Sequence, residues 1–502
     1  MKHVVDRIQS LYRRLTSGGT TEEQAVHGGI WVAGINVGDR VLQLLKIVVL
    51  ARLLSPEAFG LLGIALLVRA ALEKFSELGF DQALIQHRAE DVDAYLNTAW
   101  MVKIGRGLVI AVVAFVSAPY LAAFFSEPRS EPLIQVLGAA PLVLGLQNPA
   151  VVYFQKRLNF HKEFVYQVGG RVVDLCVAVA LALVFRSVWA LAGGILAMTL
   201  TKLVVSYVVH DYRPRLEFDR ERAEEMFSFG KWLFASSILV FLFSQGDDAF
   251  VGWFFGATAL GFYQLAYRFS NAPATEVTHV ISRVAFPAFS KVQDDTERLR
   301  DGFFEALQLT AIIGFPVAGG IVAVAPQFVD VVLGTQWRPM IPLIQVLALW
   351  GLLRAVGSNV GPVLRAIGRP DILTRLQLLK VVLIAAFIFP AASQFGVVGV
   401  AALLIGNTLV VQPINYYLTL TEIEGRASRV LSVLAYPFAA SLVMGGCVYA
   451  LDRYAFAEPS PVGLVALVLT GVLVYVGAMV GIERTVGYRF TDYYRELKRS
   501  LS

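Results

Sequence analysis

Apolar runs of about 20 residues, separated by short polar breaks, recur along the whole chain. That is the length an α-helix needs, at a rise of about 1.5 Å per residue, to cross a hydrocarbon core roughly 30 Å thick. The runs predict fourteen spanning helices, near 29–51, 59–78, 95–118, 132–152, 164–185, 188–209, 227–248, 257–279, 302–324, 341–363, 373–393, 397–420, 430–451 and 462–482. Pro interrupts several of them, as at Pro141, Pro273 and Pro316, which membrane helices tolerate when neighbours satisfy the freed backbone groups. The fold class predicted is an all-α polytopic membrane protein.

Composition strengthens this picture, because 56% hydrophobic and 16% charged residues lie well outside soluble averages. Charge then orients the chain. With a cytoplasmic N-terminus, and with Arg375 counted in the loop before the eleventh span, alternation places 26 of the 43 Lys and Arg in cytoplasmic segments, five in outer loops and twelve within spans. Cytoplasmic loops of membrane proteins carry such an excess, so both termini are expected inside. A net charge of +5 would also suit nucleic acid, but the soluble basic fold this requires is missing, and no nucleic-acid partner is expected. The N-terminal MKHVVDRIQSLYRRLTSGG has no cleavage site and is not a signal peptide. With Val4, Ile8, Leu11 and Leu15 on one face, it reads either as a helix lying on the membrane surface or as a disordered basic tail. The basic C-terminal RTVGYRFTDYYRELKRS is expected on the inner leaflet, or docking a polymerase or glycosyltransferase. Cys176 and Cys447 sit in apolar runs, so neither a disulfide framework nor a metal site follows.

An internal echo appears at an offset of 201 residues, where SPEAFGLLGIA (55–65) aligns with GATALGFYQLA (256–266), matching Ala58 with Ala259, Gly60 with Gly261 and Ala65 with Ala266. Each segment joins the first and second helix of a six-helix half. The expected organisation is a basic N-terminal segment (1–28), a first lobe (29–209), a charged linker (210–226), a second lobe (227–420), two accessory helices (430–482) and a basic tail (483–502). Transporters built from such repeats hold their site at the repeat interface.

No phosphate-binding GxxxxGK[ST] loop, HExxH pair or GxSxG elbow is present, so neither an enzyme nor a bound cofactor is expected. The charges within the spans carry more information. A charge facing lipid at mid-membrane costs roughly 2.5–3.5 kcal/mol, and the stretch GDRVLQLLKIVVLARLL (38–54) carries Asp39, Arg40 and Lys46. Some charges can neutralise each other along one helix face: Arg69 with Glu73, Lys74 with Glu77, and Arg171 with Asp174. Arg268 and Arg354 have no acid within one turn. Twelve basic residues against eight acidic ones within the spans leave a positive surplus, which suits an anionic ligand, and Arg in particular grips phosphate oxygens bidentately. Asp39, Asp247 and Asp248 are candidates to bind a coupling cation.

The run ARLLSPEAFGLLGIALLV, then ELGFDQALIQ (77–86), FQKRLNF (154–160), FPAFSKVQDD (286–295), Trp337 and RAIGRPDILTR (365–375), resemble in order the Wzx-type polysaccharide flippases. These belong to the multidrug/oligosaccharidyl-lipid/polysaccharide exporter superfamily. The resemblance covers residues 29–425 and implies two six-helix lobes around a central cavity, with two accessory helices. It implies translocation of undecaprenyl-pyrophosphate-linked sugar units across the bacterial inner membrane, for exopolysaccharide, capsule or O-antigen synthesis. The first helix is also similar to that of lipid II flippases, whose cavity cations carry over onto Arg40, Lys46 and Arg52; on the second helix only Lys74 keeps the charge. With Arg268 and Arg354, these are the candidate ligands of an anionic headgroup. A multidrug/cation antiporter of the same superfamily, expected to have an acid-dominated cavity, and a lipid II flippase are the alternatives. A non-transporting scaffold would instead tolerate neutralisation of every midplane cation.

Overall fold

The computed structural model describes residues 21–76, 92–156 and 159–486, with no strand among them. The N-terminal segment to residue 20, the whole of ELGFDQALIQ (77–86) with Glu77, and the C-terminal tail from residue 487 lie outside the described residues, as do the side chains of Glu276 and His279. The first helices are α1 (Thr21–Leu53), α2 (Pro56–Lys74), α3 (Val92–Phe124), α4 (Glu131–Gly138), α5 (Ala140–Gly145), α6 (Phe160–Phe185) and α7 (Val188–Val209). They are followed by α8 (Arg220–Lys291), α9 (Thr296–Phe328), α10 (Ile341–Gly357), α11 (Val360–Ala366), α12 (Pro370–Glu422), α13 (Ala427–Tyr454) and α14 (Pro461–Val486). Nine segments of the described chain are long and apolar enough to cross a membrane.

The ends of these helices follow from local chemistry. Ser55 caps α2 by accepting from the Ala58 N–H, Pro56 occupies the first turn and Glu57 faces the positive end of the helix dipole. Asp295 does the same for α9, accepting from the Arg298 N–H at 3.0 Å. Two helices are too long for one crossing, and each is interrupted where a glycine takes a positive φ: Gly256 (82°) in α8 and Gly396 (63°) in α12. The joints expected between the seventh and eighth spans, and between the eleventh and twelfth, are thus tight breaks in near-continuous helix.

The fourth and tenth runs are not single helices. In the fourth, Pro141 has no N–H to donate, and α3 presses close on the break: a Cβ on Gly107 would stand 2.6 Å from Leu142 Cα, and one on Gly145 2.6 Å from the Lys103 oxygen. In the tenth, Ser358 and Asn359 donate their side chains to the oxygens of Ala355 (2.7 Å) and Val356 (3.2 Å). Such bonds offer the backbone an alternative to continuing the helix.

The chain divides into two compact units, Met1–Gly261 and Phe262–Ser502. This division falls beyond the 210–226 linker, and local contacts explain it. The Ala257 N–H, just past the Gly256 break, donates to Glu127 Oε1 at 2.9 Å, and Arg129 pairs with Glu57 at 2.5 Å. The two copies of the internal echo also cross here. A Cβ on Gly60 would lie 1.7 Å from the Ala257 oxygen, and one on Gly261 2.2 Å from the Pro56 oxygen. The contact is reciprocal, because the offset of 201 that relates Gly60 to Gly261 also relates Pro56 to Ala257. Small residues that let backbones touch are the usual device of helix packing in membranes.

In the second unit one buried cluster joins Phe303, Phe304 and Leu307 of α9 to Val363 and Leu364 of α11 and Val411 of α12. Another joins Met444 and Val448 of α13 to Leu467 and Met479 of α14. Outward-facing apolar residues such as Leu108, Phe115 and Val116 in the first unit, and Val382, Phe387 and Leu442 in the second, are exposed. Surfaces of this kind suit lipid rather than water.

Candidate functional site

Three helices of the first unit, α1, α6 and α7, share a ladder of polar side chains. Lys46 Nζ donates to Asp174 Oδ1 at 2.5 Å, with Lys46 9% and Asp174 1% exposed. Asp174 fits because α7 presents Gly194 to it; a Cβ there would stand 2.6 Å from Asp174 Oδ1. Arg171 Nε donates to Asp39 Oδ1 at 2.7 Å, while its Nη1 lies 3.6 Å from Asp174 Oδ2. Arg171 therefore bridges both acids, and the local Arg171–Asp174 pair expected from spacing is its longer contact. Further along, Lys202 Nζ donates to Gln167 Oε1 at 2.6 Å and lies over the Tyr166 ring, and the Tyr166 hydroxyl donates to Gln147 Oε1 at 2.5 Å. Arg40, on the other side of α1, is exposed.

Around the end of α2, Arg69 Nε donates to Glu73 Oε1 at 2.8 Å, as its spacing predicts. Arg106 of α3 donates to the Glu73 backbone oxygen at 2.6 Å and to Ser76 Oγ at 3.0 Å, so it joins Ser76, whose hydroxyl donates at 3.2 Å, in capping the end of the helix. Lys74 and Arg52 are exposed at the ends of α2 and α1, and Asp247 and Asp248 are partly buried on α8. Sequence spacing singled out neither Arg106 as a cap nor Lys202 as part of a ladder, since their partners lie on other helices.

In the second unit Arg354 of α10 is partly buried and held by two aromatic residues. Its Nη1 donates to the Tyr267 hydroxyl at 3.1 Å, and its guanidinium lies 4.9 Å from the centre of the Trp350 ring. The Tyr267 and Trp350 rings are themselves 5.6 Å apart, tilted by 50°. Arg268, beside Tyr267, is exposed. One turn on from Tyr267, Asn271 is 2% exposed, and among the described residues neither of its amide atoms has a hydrogen-bond partner. The i,i+4 spacing of Trp350 with Arg354 is the signal that would have drawn in the aromatic neighbours.

Two apolar cavities of the second unit, about 370 and 920 Å³, border α13, one beside Phe315 and Phe438 and the other beside Leu409 and Leu431. Neither is lined by a predicted headgroup ligand. Among the described residues no three His, Cys, Asp or Glu side chains come together as a metal site.

Membrane-length apolar helices that carry ion pairs and half-buried arginines in their interiors define a polytopic membrane protein of transporter type. The chain belongs to the polysaccharide biosynthesis protein family Polysacc_synt_3, whose profile matches residues 49–342, and it is a Wzx-type member of the exporter superfamily that the sequence resembles. It is 31% identical over 413 residues to the lipopolysaccharide biosynthesis protein WzxC of Escherichia coli (strain K12), covering 81% of this chain and 83% of that protein. It is 28% identical to the succinoglycan biosynthesis transport protein ExoT of Rhizobium meliloti (strain 1021), covering 70% and 71%. In fold it matches the lipid II flippase MurJ, solved in an inward closed conformation, with a TM-score of 0.70 at 14% identity, over 91% of this chain and 100% of that one.

Proposed function

We propose that this protein is a flippase, not an enzyme, that carries undecaprenyl-pyrophosphate-linked oligosaccharide units across the bacterial inner membrane, with both termini cytoplasmic. The observation that carries this reading is the extended similarity to WzxC and ExoT, a lipopolysaccharide and a succinoglycan biosynthesis protein. That relationship favours a glycan cargo over the drug or cation of an antiporter. The chemistry is supplied by cations set in apolar helices. Arg40, Arg52 and Lys74 in the first unit and, separately, Arg268 and Arg354 in the second are the cations we assign as candidate ligands of the pyrophosphate, which alternates in exposure between the two sides while the polyprenyl chain stays in lipid. Lys46 acts differently: its ammonium is engaged by Asp174, so it sets the local field and geometry of α1 beside Arg40. Asp247 and Asp248 are the coupling-ion candidates, with Asp39 held by Arg171.

The test is translocation of undecaprenyl-pyrophosphate-linked glycan by the full-length protein in vesicles, for the wild type and for Arg40→Gln. An inserted Arg40→Gln protein is expected to flip at least about tenfold more slowly, the loss of roughly 1.4 kcal/mol of anion binding. Unchanged flipping would move the headgroup contact to Arg268 and Arg354. Wild-type vesicles that move no lipid-linked glycan would overturn the reading itself.

A further inference from the structure

We propose that Tyr267, Trp350 and Arg354 form a glycosyl-phosphate subsite, in which the guanidinium takes a phosphate oxygen and the two rings receive the first sugar. The proposal rests on the flippase reading and adds to it where, within the second unit, the sugar next to the phosphate is read. Three observations lead here. Depth is the first: Tyr267 lies ten residues beyond Ala257 and Trp350 nine beyond Ile341, roughly 15 Å along each helix and near the middle of a hydrocarbon core. Aromatic residues that serve only as membrane anchors belong at the interfaces instead.

The second observation is orientation. Arg354 is fixed from two directions, by the Tyr267 hydroxyl at 3.1 Å and the Trp350 face at 4.9 Å. A pre-set guanidinium loses less freedom on gripping an oxyanion than a flexible one. The third is shape. The rings touch each other, with centroids 5.6 Å apart at 50°, so together they form a bent apolar surface with a polar rim. A pyranose presents the matching surface, with axial C–H groups on one face and hydroxyls around its edge. Tyr267 and Trp350 are both partly buried, so their rings keep accessible surface. A bare polyprenyl pyrophosphate would use the arginine alone; a glycosylated one would use all three residues.

The experiment measures binding of two probes, undecaprenyl pyrophosphate and undecaprenyl-pyrophosphoryl-glucose, to the full-length protein in lipid nanodiscs by native mass spectrometry. Wild type is expected to prefer the glycosylated probe. Trp350→Leu should lower that preference about tenfold, on top of a loss common to both probes from the loosened Arg354, and Trp350→Phe, which keeps an aromatic face, should restore most of the preference. Arg354→Gln should weaken both probes by the same factor. If Trp350→Leu fails to fold, the Phe variant against Tyr267→Leu makes the same comparison, the preference for the glycosylated probe again expected to fall. Binding of both probes with a preference unchanged by the loss of either ring overturns the subsite and leaves the flippase reading standing. A wild type that binds neither probe overturns both.

Discussion

Lys46 and Arg40 lie six residues apart on α1, about 240° around a helix of 3.6 residues per turn. That offset sends Lys46 into the α1–α6 contact and leaves Arg40 exposed. Substituting both together would therefore mix two different effects. Lys46→Gln leaves the Asp174 carboxylate, 1% exposed, with only the longer 3.6 Å contact to Arg171, and breaking one side of a buried pair costs up to about 3–5 kcal/mol. We expect a clear drop in the thermal unfolding temperature of the purified protein. The double variant Lys46→Met with Asp174→Leu removes both charges and should recover most of that loss, because the isolated charge, not the missing contact, is what destabilises. A double variant as unstable as the single one would contradict this account. Only part of this was legible in the sequence. The Arg69–Glu73 pair follows from an i,i+4 rule, but Lys46 and Asp174 are 128 residues apart, and no local spacing rule reaches that far. The same limit hid Tyr267 from Arg354, 87 residues away.

At the scale of helices, glycine controls approach. A methyl group at Gly60 has no room against the Ala257 carbonyl, whereas one at Gly105 of α3 meets nothing within 4 Å. Gly60→Ala should therefore destabilise by about 1–3 kcal/mol through forced separation of the two segments. Gly105→Ala should be neutral or stabilise by up to about 1 kcal/mol from helix propensity alone. Thermal unfolding of the two variants side by side separates close packing from propensity, and equal shifts would refute the assignment. The sequence carried a trace of this crossing, since Gly60 and Gly261 coincide in the internal echo; that the two copies touch was visible only in the structure. The apolar runs likewise located the helices well, because span length depends on bilayer thickness. They missed the breaks within the fourth and tenth runs, which depend on close packing by α3 and on side-chain bonds from Ser358 and Asn359.

For the whole molecule, the charge of the proposed cargo has an electrical consequence. Moving two negative charges outward from a negative cytoplasm is favoured by about 4.6 kcal/mol per 100 mV. Flipping in vesicles should accelerate when a potential of that sign is imposed by a potassium gradient and valinomycin; equal rates with and without it would show that charge movement is balanced by a counter-ion. The membrane class was legible from hydropathy alone and the family from its ordered motifs. The division at Gly261 was not, because it depends on which segments touch rather than on where polar linkers fall. The crossing of Gly60 with the segment after Gly256 also gives biosynthesis an order. The first hairpin leaves the ribosome 201 residues before its mate, and at about 5–20 residues per second that interval is roughly 10–40 s. For that time the cleft at Gly60 faces lipid or the insertion machinery, so the first half of the protein must enter the membrane before it can finish folding.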